Sequence, residues 1–265
     1  MAQDPGQWLG LLKWSLQYHD GTGPSANTPM SEEDKEWLSR VMQDSVRDDV
    51  KVMTDVYEAI RSFIGKANEG EAAEGRDDLL KDLEDLQDMC EQIDLANTWV
   101  KIAGPSCLLD LARTSDHELQ VASLSVLGTV AQNNPLAQSE LANAGQVEEL
   151  LALLQLPSSP APEGPAFKAA VLGALSRVVR GYEEGELKVL EPDTMKLMCG
   201  LFESQGEAFR RRLLFLARAL VEGKGAARVD AVWDLLLLAV SKIKEENDVD
   251  VKEKTIEARA LIELP

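Results

Sequence analysis

The sequence predicts an all-α chain of stacked helical repeats, and three observations carry that expectation. From about Asp77 onward no strand-like alternation of apolar and polar residues occurs. Helical runs are instead separated by turn signals: GP at Gly104, NNP at Asn133, PSSPAPEGP at Pro157, EPD at Glu191, GKG at Gly223 and END at Glu246. A pattern also recurs. FKAAVLGALSRVVRG, from Phe167, aligns with FRRRLLFLARALVEG, from Phe209, sharing Phe, a basic second residue, Leu at the sixth place and Val and Gly at the end, an offset of 42.

The same step forward reaches VKEKTIEARALIEL at Val251, with its basic second residue and apolar Ala258 and Ile262. Backward, LQVASLSVLGTVAQN begins at Leu119, an offset of 48 whose excess falls in the proline-rich loop. Each long segment follows a shorter apolar one: PSCLLDLARTS, QVEELLALLQL, DTMKLMCGLFES and VWDLLLLAVSKI. A period of about 40–47 residues is the armadillo range. No such unit buries its apolar face alone, so neighbours stack into a superhelical solenoid with a long concave groove.

Elements ahead of the repeats are atypical. Residues 1–30 read as a short flexible segment carrying GQWLGLLKWSLQY, followed by the breaker-rich loop DGTGPSANTP. Residues 31–76 read as an amino-terminal helical cap and 77–265 as the repeats. Within the cap, SEEDKEW from Ser31 has the acidic first turn of a helix running to about Val46. A second helix is expected from Asp48 to Ile64, with Val52, Val56, Ile60 and Ile64 on one face and a stop at Gly65. Leu79, Leu80, Leu83, Leu86 and Met89 then mark an amphipathic helix whose strongly acidic outer face reads as solvated surface.

Composition narrows the function. With 45% hydrophobic and 28% charged residues the 265-residue chain is expected to fold around a sizeable core. A net charge of -19 argues against nucleic acid or an anionic membrane as partner, since phosphate binding needs a basic surface. The sequence has no apolar run of about 18 residues and no secretory signal at its start, so a cytoplasmic protein, not bound to membrane, is expected. Cys90, Cys107 and Cys199, with only His19 and His117 for company, suggest buried free thiols and neither a disulfide nor a metal site. No Gly-rich phosphate loop or paired nucleophile motif is present, so no enzyme and no cofactor is expected.

Helical periodicity divides the faces of the long segments. In the second copy Phe167, Ala170, Val171, Ala174, Leu175 and Val178 form the core stripe, leaving Ser176 and Arg180 outward. Arg211 and Arg218 take the same face in the third copy, and Gly128 and Gln132 in the first. Stacking places Gln132, Arg180, Arg211 and Arg218 along one surface, with Asn133 beside Gln132. Such an arginine strip either meets an acidic partner through bidentate guanidinium–carboxylate pairs or is neutralised by carboxylates of adjoining repeats.

Several segments resemble the armadillo-type nucleotide exchange factors of heat-shock protein 70, the Fes-type or heat-shock-protein-70-binding-protein family. LLKWSL, Leu11 to Leu16, is similar to that family's opening element; EQIDLANTW, Glu91 to Trp99, to its E-x-L/M-D-N-A segment, with Leu95 in place of the first Asn. LQVASLSVLGTVAQNNPLAQ resembles the family's GT-x-x-QNN element, and KAAVLGALSRVVRG its KA-x-x-A repeat. The resemblance implies a monomeric co-chaperone that embraces the ATPase domain of a cytosolic heat-shock protein 70 and opens its cleft so that ADP leaves. By family position Ala96 and Arg211 fall at that interface. Leu11, Leu12, Trp14 and Leu16 would either mimic a client in the chaperone's peptide-binding domain or cap the first repeat. Repeats without the resemblance would equally suit a generic scaffold for another protein or an extended peptide.

Overall fold

The structure, a computed structural model, describes residues 31–33, 35–38, 48–69, 75–156, 164–222, 226–242, 249, 252–253 and 256. The chain divides into two compact units, Met1–Lys51 and Val52–Pro265. In the first, Ser31 precedes helical residues 32–33 and 35–38, with Lys35 donating to Glu32 at 2.6 Å. The expected segments at 1–30, the helix end near Val46 and most of the fourth copy from Val251 lie outside the described residues.

All regular structure among the described residues is helical. In chain order the helices are α1 (Asp49–Glu69), α2 (Arg76–Cys90), α3 (Ile93–Lys101), α4 (Gly104–Leu111), α5 (His117–Ala131), α6 (Pro135–Asn143), α7 (Gln146–Gln155), α8 (Gly164–Val179), α9 (Glu183–Val189), α10 (Pro192–Ser204), α11 (Glu207–Val221) and α12 (Ala226–Lys242). Three-helix units emerge where helix pairs were expected: α3–α5, α6–α8 and α9–α11, each two shorter helices followed by a long one. The extra helices are only seven to nine residues long, about two turns, too short for a 3.6-residue period to stand out. Local chemistry makes them. Asn134 accepts from the Ala137 amide at 3.3 Å and Pro135 occupies the first turn, so α6 is capped at its start.

The first helix corrects two expectations. It runs through Gly65 to Glu69, because Gly65 is exposed with open space around it and an interior glycine costs a helix only about 1 kcal/mol. Its buried face is Met53, Val56, Ile60 and Phe63, while Val52 and Ile64 are only partly covered. Steps of four residues drift around a helix of 3.6 per turn, whereas alternating steps of three and four hold one line.

Side-chain bonds register the stack. Those joining elements far apart in sequence span 36 to 49 residues: Arg113 to Glu149, Asn134 to Asn97, Gln146 to Ser106, Lys188 to Glu148, Arg228 to Glu186, Arg61 to Asp110. Each of these bonds therefore joins one unit to the next, as a solenoid requires. Arg76 grips Asp116 and Glu118 at the start of α5. Burial pushes the Asp116 carboxyl up, but the Arg76 guanidinium and the Leu119 amide more than offset this and hold it below its ordinary value. Arg228 meets Glu183 and the fully buried Glu186, each at 2.6 Å, and Glu186 also accepts from the Gly181 amide.

The basic second residue of the recurring pattern has a structural task. Lys168, 2% exposed, donates to the carbonyls of Leu154 in the last turn of α7 and Leu156 just past it, and Arg210 donates to the Phe202 carbonyl in α10 at 3.1 Å. Both satisfy carbonyls that a helix end leaves without partners. Cys90 and Cys107 are buried, with thiols pushed up to about 12 by burial, as expected of small apolar fillers; Cys199 is half-buried.

Between α3 and α4 the chain turns through Ala103 at φ 60°, and Gly104 lies against the fully buried Trp99 ring. A Cβ on Gly104 would sit 2.1 Å from that ring. Gly104→Ala should therefore destabilise the fold by about 1–3 kcal/mol through overpacking, measured as a lower urea midpoint at unchanged slope. Asn134→Ala removes the α6 cap and the link to Asn97 at 2.9 Å, and should cost about 1–2 kcal/mol in the same titration.

Candidate partner-binding site

Two adjoining cavities gather most of the expected residues. The first, about 320 Å³, is lined by Cys90 and Glu91 at the end of α2, Ile93 and Ala96 of α3, Thr129 and Val130 of α5, and Gln132 to Asn134. Ala96 is 1% exposed. Local chemistry fixes the opposite rim: Asn133 takes the left-handed conformation at φ 54°, which asparagine tolerates better than most residues, and Asn134 turns inward to cap α6. Gln132 and Asn133 are left exposed.

The second cavity, about 410 Å³, lies across α8 and α11 and is lined by Gln132, Gly173, Ser176, Arg177, Arg180, Arg211, Arg212 and Phe215. Gln132 belongs to both cavities, so Ala96, Gln132, Asn133, Arg180 and Arg211 share one stretch of surface. Arg218 does not line either; it pairs with Glu222 one turn away, Nε to Oε2 at 3.3 Å. The lining of the second cavity among the described residues is four arginines with Gln132, Gly173, Ser176 and Phe215.

Sequence reasoning missed Arg177, Arg212 and Phe215. The Arg177 guanidinium crosses α5 at Gly128, where a Cβ would stand 2.7 Å from Nη1, and Arg212 crosses α8 at Gly173, 2.9 Å on the same measure. Arg212 also donates to the Ala169 carbonyl. Glycines inside long helices were the available signal, because a helix keeps one where something must lie flat against its backbone. Arg180 stacks on Phe215 with Cζ 4.9 Å from the ring centroid. Gln138, 3% exposed, ties off α8 by donating to the carbonyls of Arg177 and Arg180, both at 2.9 Å.

Burial and crowding of like charge, in that order, shape the electrostatics of the cavity. Burial, then the neighbouring guanidiniums of Arg212 and Arg180, pull Arg177 below its ordinary value; burial and Arg211 do the same to Arg212. Ser176, expected to point outward, is 5% exposed and forms part of the cavity wall. The described residues hold no cluster of His, Cys, Asp and Glu suited to a metal ion, and no helix among them is long and apolar enough to cross a membrane. Leu11, Leu12, Trp14 and Leu16 lie outside the described residues.

Known proteins resemble this chain in sequence or in fold. Residues 9–98 match the family model described as "Nucleotide exchange factor Fes1". Hsp70-binding protein 1 of Mus musculus is 25% identical over 224 residues, covering 83% of this chain and 61% of that protein. The Hsp70 nucleotide exchange factor FES1 of Gibberella zeae is 26% identical over 178 residues, covering 65% and 76%. A designed armadillo repeat protein solved in complex with the peptide (KR)4 shares the fold at a TM-score of 0.58, with 15% identity, covering 76% of this chain and 80% of that one. The chain spans about three fifths of the length of the mammalian relatives it matches. By its Fes1 match over residues 9–98 and its armadillo-like helical units, the chain is similar to the armadillo-type nucleotide exchange factors of heat-shock protein 70.

Proposed function

We propose that this chain is a cytoplasmic co-chaperone that binds the ATPase domain of a heat-shock protein 70 and promotes loss of ADP and release of client. The observation that carries the reading is Gln132's place in both cavities, which makes one surface of Ala96, Gln132, Asn133, Arg180 and Arg211. This surface is the concave face of the stack in our reading. Ala96, almost wholly buried, keeps the first cavity free of a larger side chain, and the arginine cavity offers guanidinium forks to partner carboxylates. Arg218, paired with Glu222, serves at the margin.

Such a protein needs no nucleophile and no general acid. A monomer that binds the open, nucleotide-free chaperone more tightly than the closed form weakens nucleotide binding by the same factor, a coupling typically of about 1–3 kcal/mol. A generic peptide-binding scaffold is the competing reading. A basic peptide such as (KR)4 would have the wrong charge for the arginine cavity, which favours an acidic partner.

Stopped-flow release of a labelled ADP from a cytosolic heat-shock protein 70 tests the proposal. The wild-type chain should accelerate release, and Ala96→Arg combined with Arg211→Ala should abolish acceleration while far-UV circular dichroism is unchanged. Arg211→Ala alone, which places no bulk against α3, should weaken the effect by about tenfold. Acceleration equal to wild type in both variants would overturn it. The segment Leu11, Leu12, Trp14 and Leu16 is proposed to occupy the chaperone's peptide-binding domain. Removing residues 1–22 should then slow client release without lowering the melting temperature, whereas a lowered melting temperature would mean a cap.

A further inference from the structure

We propose that the arginine cavity is also a binding site for a small polyphosphate anion, which competes there with the partner's carboxylates. Four guanidiniums, Arg177, Arg180, Arg211 and Arg212, line a single space of about 410 Å³, the size of a small-molecule pocket. One carboxylate brings one negative charge to this group. A run of linked phosphates brings several, each able to accept from a guanidinium fork.

The site is built into the fold. Arg177 is laid against the bare backbone of α5 at Gly128, and Arg212 against α8 at Gly173, so both stems are held before any ligand arrives. Arg212 is fixed further by its bond to the Ala169 carbonyl, and Arg180 by the Phe215 ring. Gln138 anchors the backbone from which Arg177 and Arg180 project. The Ser176 side chain is 5% exposed and lines the cavity, where a hydroxyl can donate to an entering oxyanion. The amide of Gln132 supplies a neutral donor at the rim.

Anion binding is independent of any chaperone; only the competition rests on the proposed docking. Gly128 and Gly173 are positioning residues for it, acting through the arginines that they seat.

The test is calorimetric titration of the full chain with sodium tripolyphosphate at fixed ionic strength. One anion should bind per chain. Arg177→Ala and Arg212→Ala should each weaken binding by at least about tenfold, while Arg113→Ala, which removes the same charge from a pair with Glu149 elsewhere, should not. Gly173→Ala should also weaken binding, and that loss should vanish in an Arg212→Ala background, which a merely structural effect of the methyl group would not do. No binding, or equal affinity in Arg212→Ala and Arg113→Ala, would overturn the proposal. Where an alanine variant fails to fold, Arg212→Lys takes its place and should still lose affinity, since a lysine has no fork. In a second arm, tripolyphosphate at constant free Mg²⁺ should suppress accelerated ADP release without altering the chaperone's own rate. Binding without suppression would overturn the competition; accelerated release without anion binding would leave the exchange reading standing and remove this one.

Discussion

The packing of α8 between α5 and α11 is the constraint from which the rest of the structure follows. Val171, Leu172, Ala174, Leu175, Val178 and Val179 are all fully buried, so apolar residues cover more than one side of this helix and it has no single solvent face. A helix of that kind is stable only in an interior, with about 1.5–3 kcal/mol for each large side chain withdrawn from water. Its polar ends must then find partners in neighbouring elements. Lys168 near its start serves the carbonyls of α7, and Gln138 from α6 serves the carbonyls at its end. Those end contacts fix the position of α8 and therefore the place from which Arg177 and Arg180 emerge.

Close approach of successive long helices also dictates where their arginines lie. Gly128 and Gly173 leave grooves in α5 and α8 just deep enough for a guanidinium stem, and Arg177 and Arg212 fill them. Packing and charge are thus coupled in the same residues. Ordering the stems beforehand spares a ligand the cost of immobilising long, flexible side chains, which is a substantial part of what association ordinarily costs. Burial first, and then neighbouring guanidiniums, pull Arg177 and Arg212 below their ordinary values, and negative charge entering the cavity would oppose both effects.

Much of the architecture was legible in the sequence because solenoid packing repeats. Phe167 and Phe209 hold equivalent places in α8 and α11, and the 36 to 49 residue span of the long-range side-chain bonds echoes the offset of 42 that they set. What periodicity misjudged depends on neighbours. Ser176 reads as outward on an isolated helix, but the side of α8 that carries it is closed over, and it is 5% exposed. Lys168 looked like a conserved-pattern charge within the repeat and is a buried cap. Arg211 and Arg218 share a helical face by spacing, yet Glu222 draws Arg218 into a local pair that no face diagram anticipates. The glycines were visible all along. Their meaning was not, because it resides in a side chain from the next unit.

A net charge of -19 sets the terms on which the basic cavity can act. At physiological salt, fields decay over about 8 Å, so an acidic partner feels little of the chain's overall repulsion until surfaces nearly touch. At that range local charge decides. Under the proposed docking, an acidic partner that approached a carboxylate-rich face of this protein would meet like charge, which opposes wrong orientations, while the arginine cavity would offer attraction through guanidiniums held in place. Net acidity and a local basic socket would then act together. Recognition built this way would rely on geometry more than on long-range steering. The rigid stack of α5, α8 and α11 supplies that geometry.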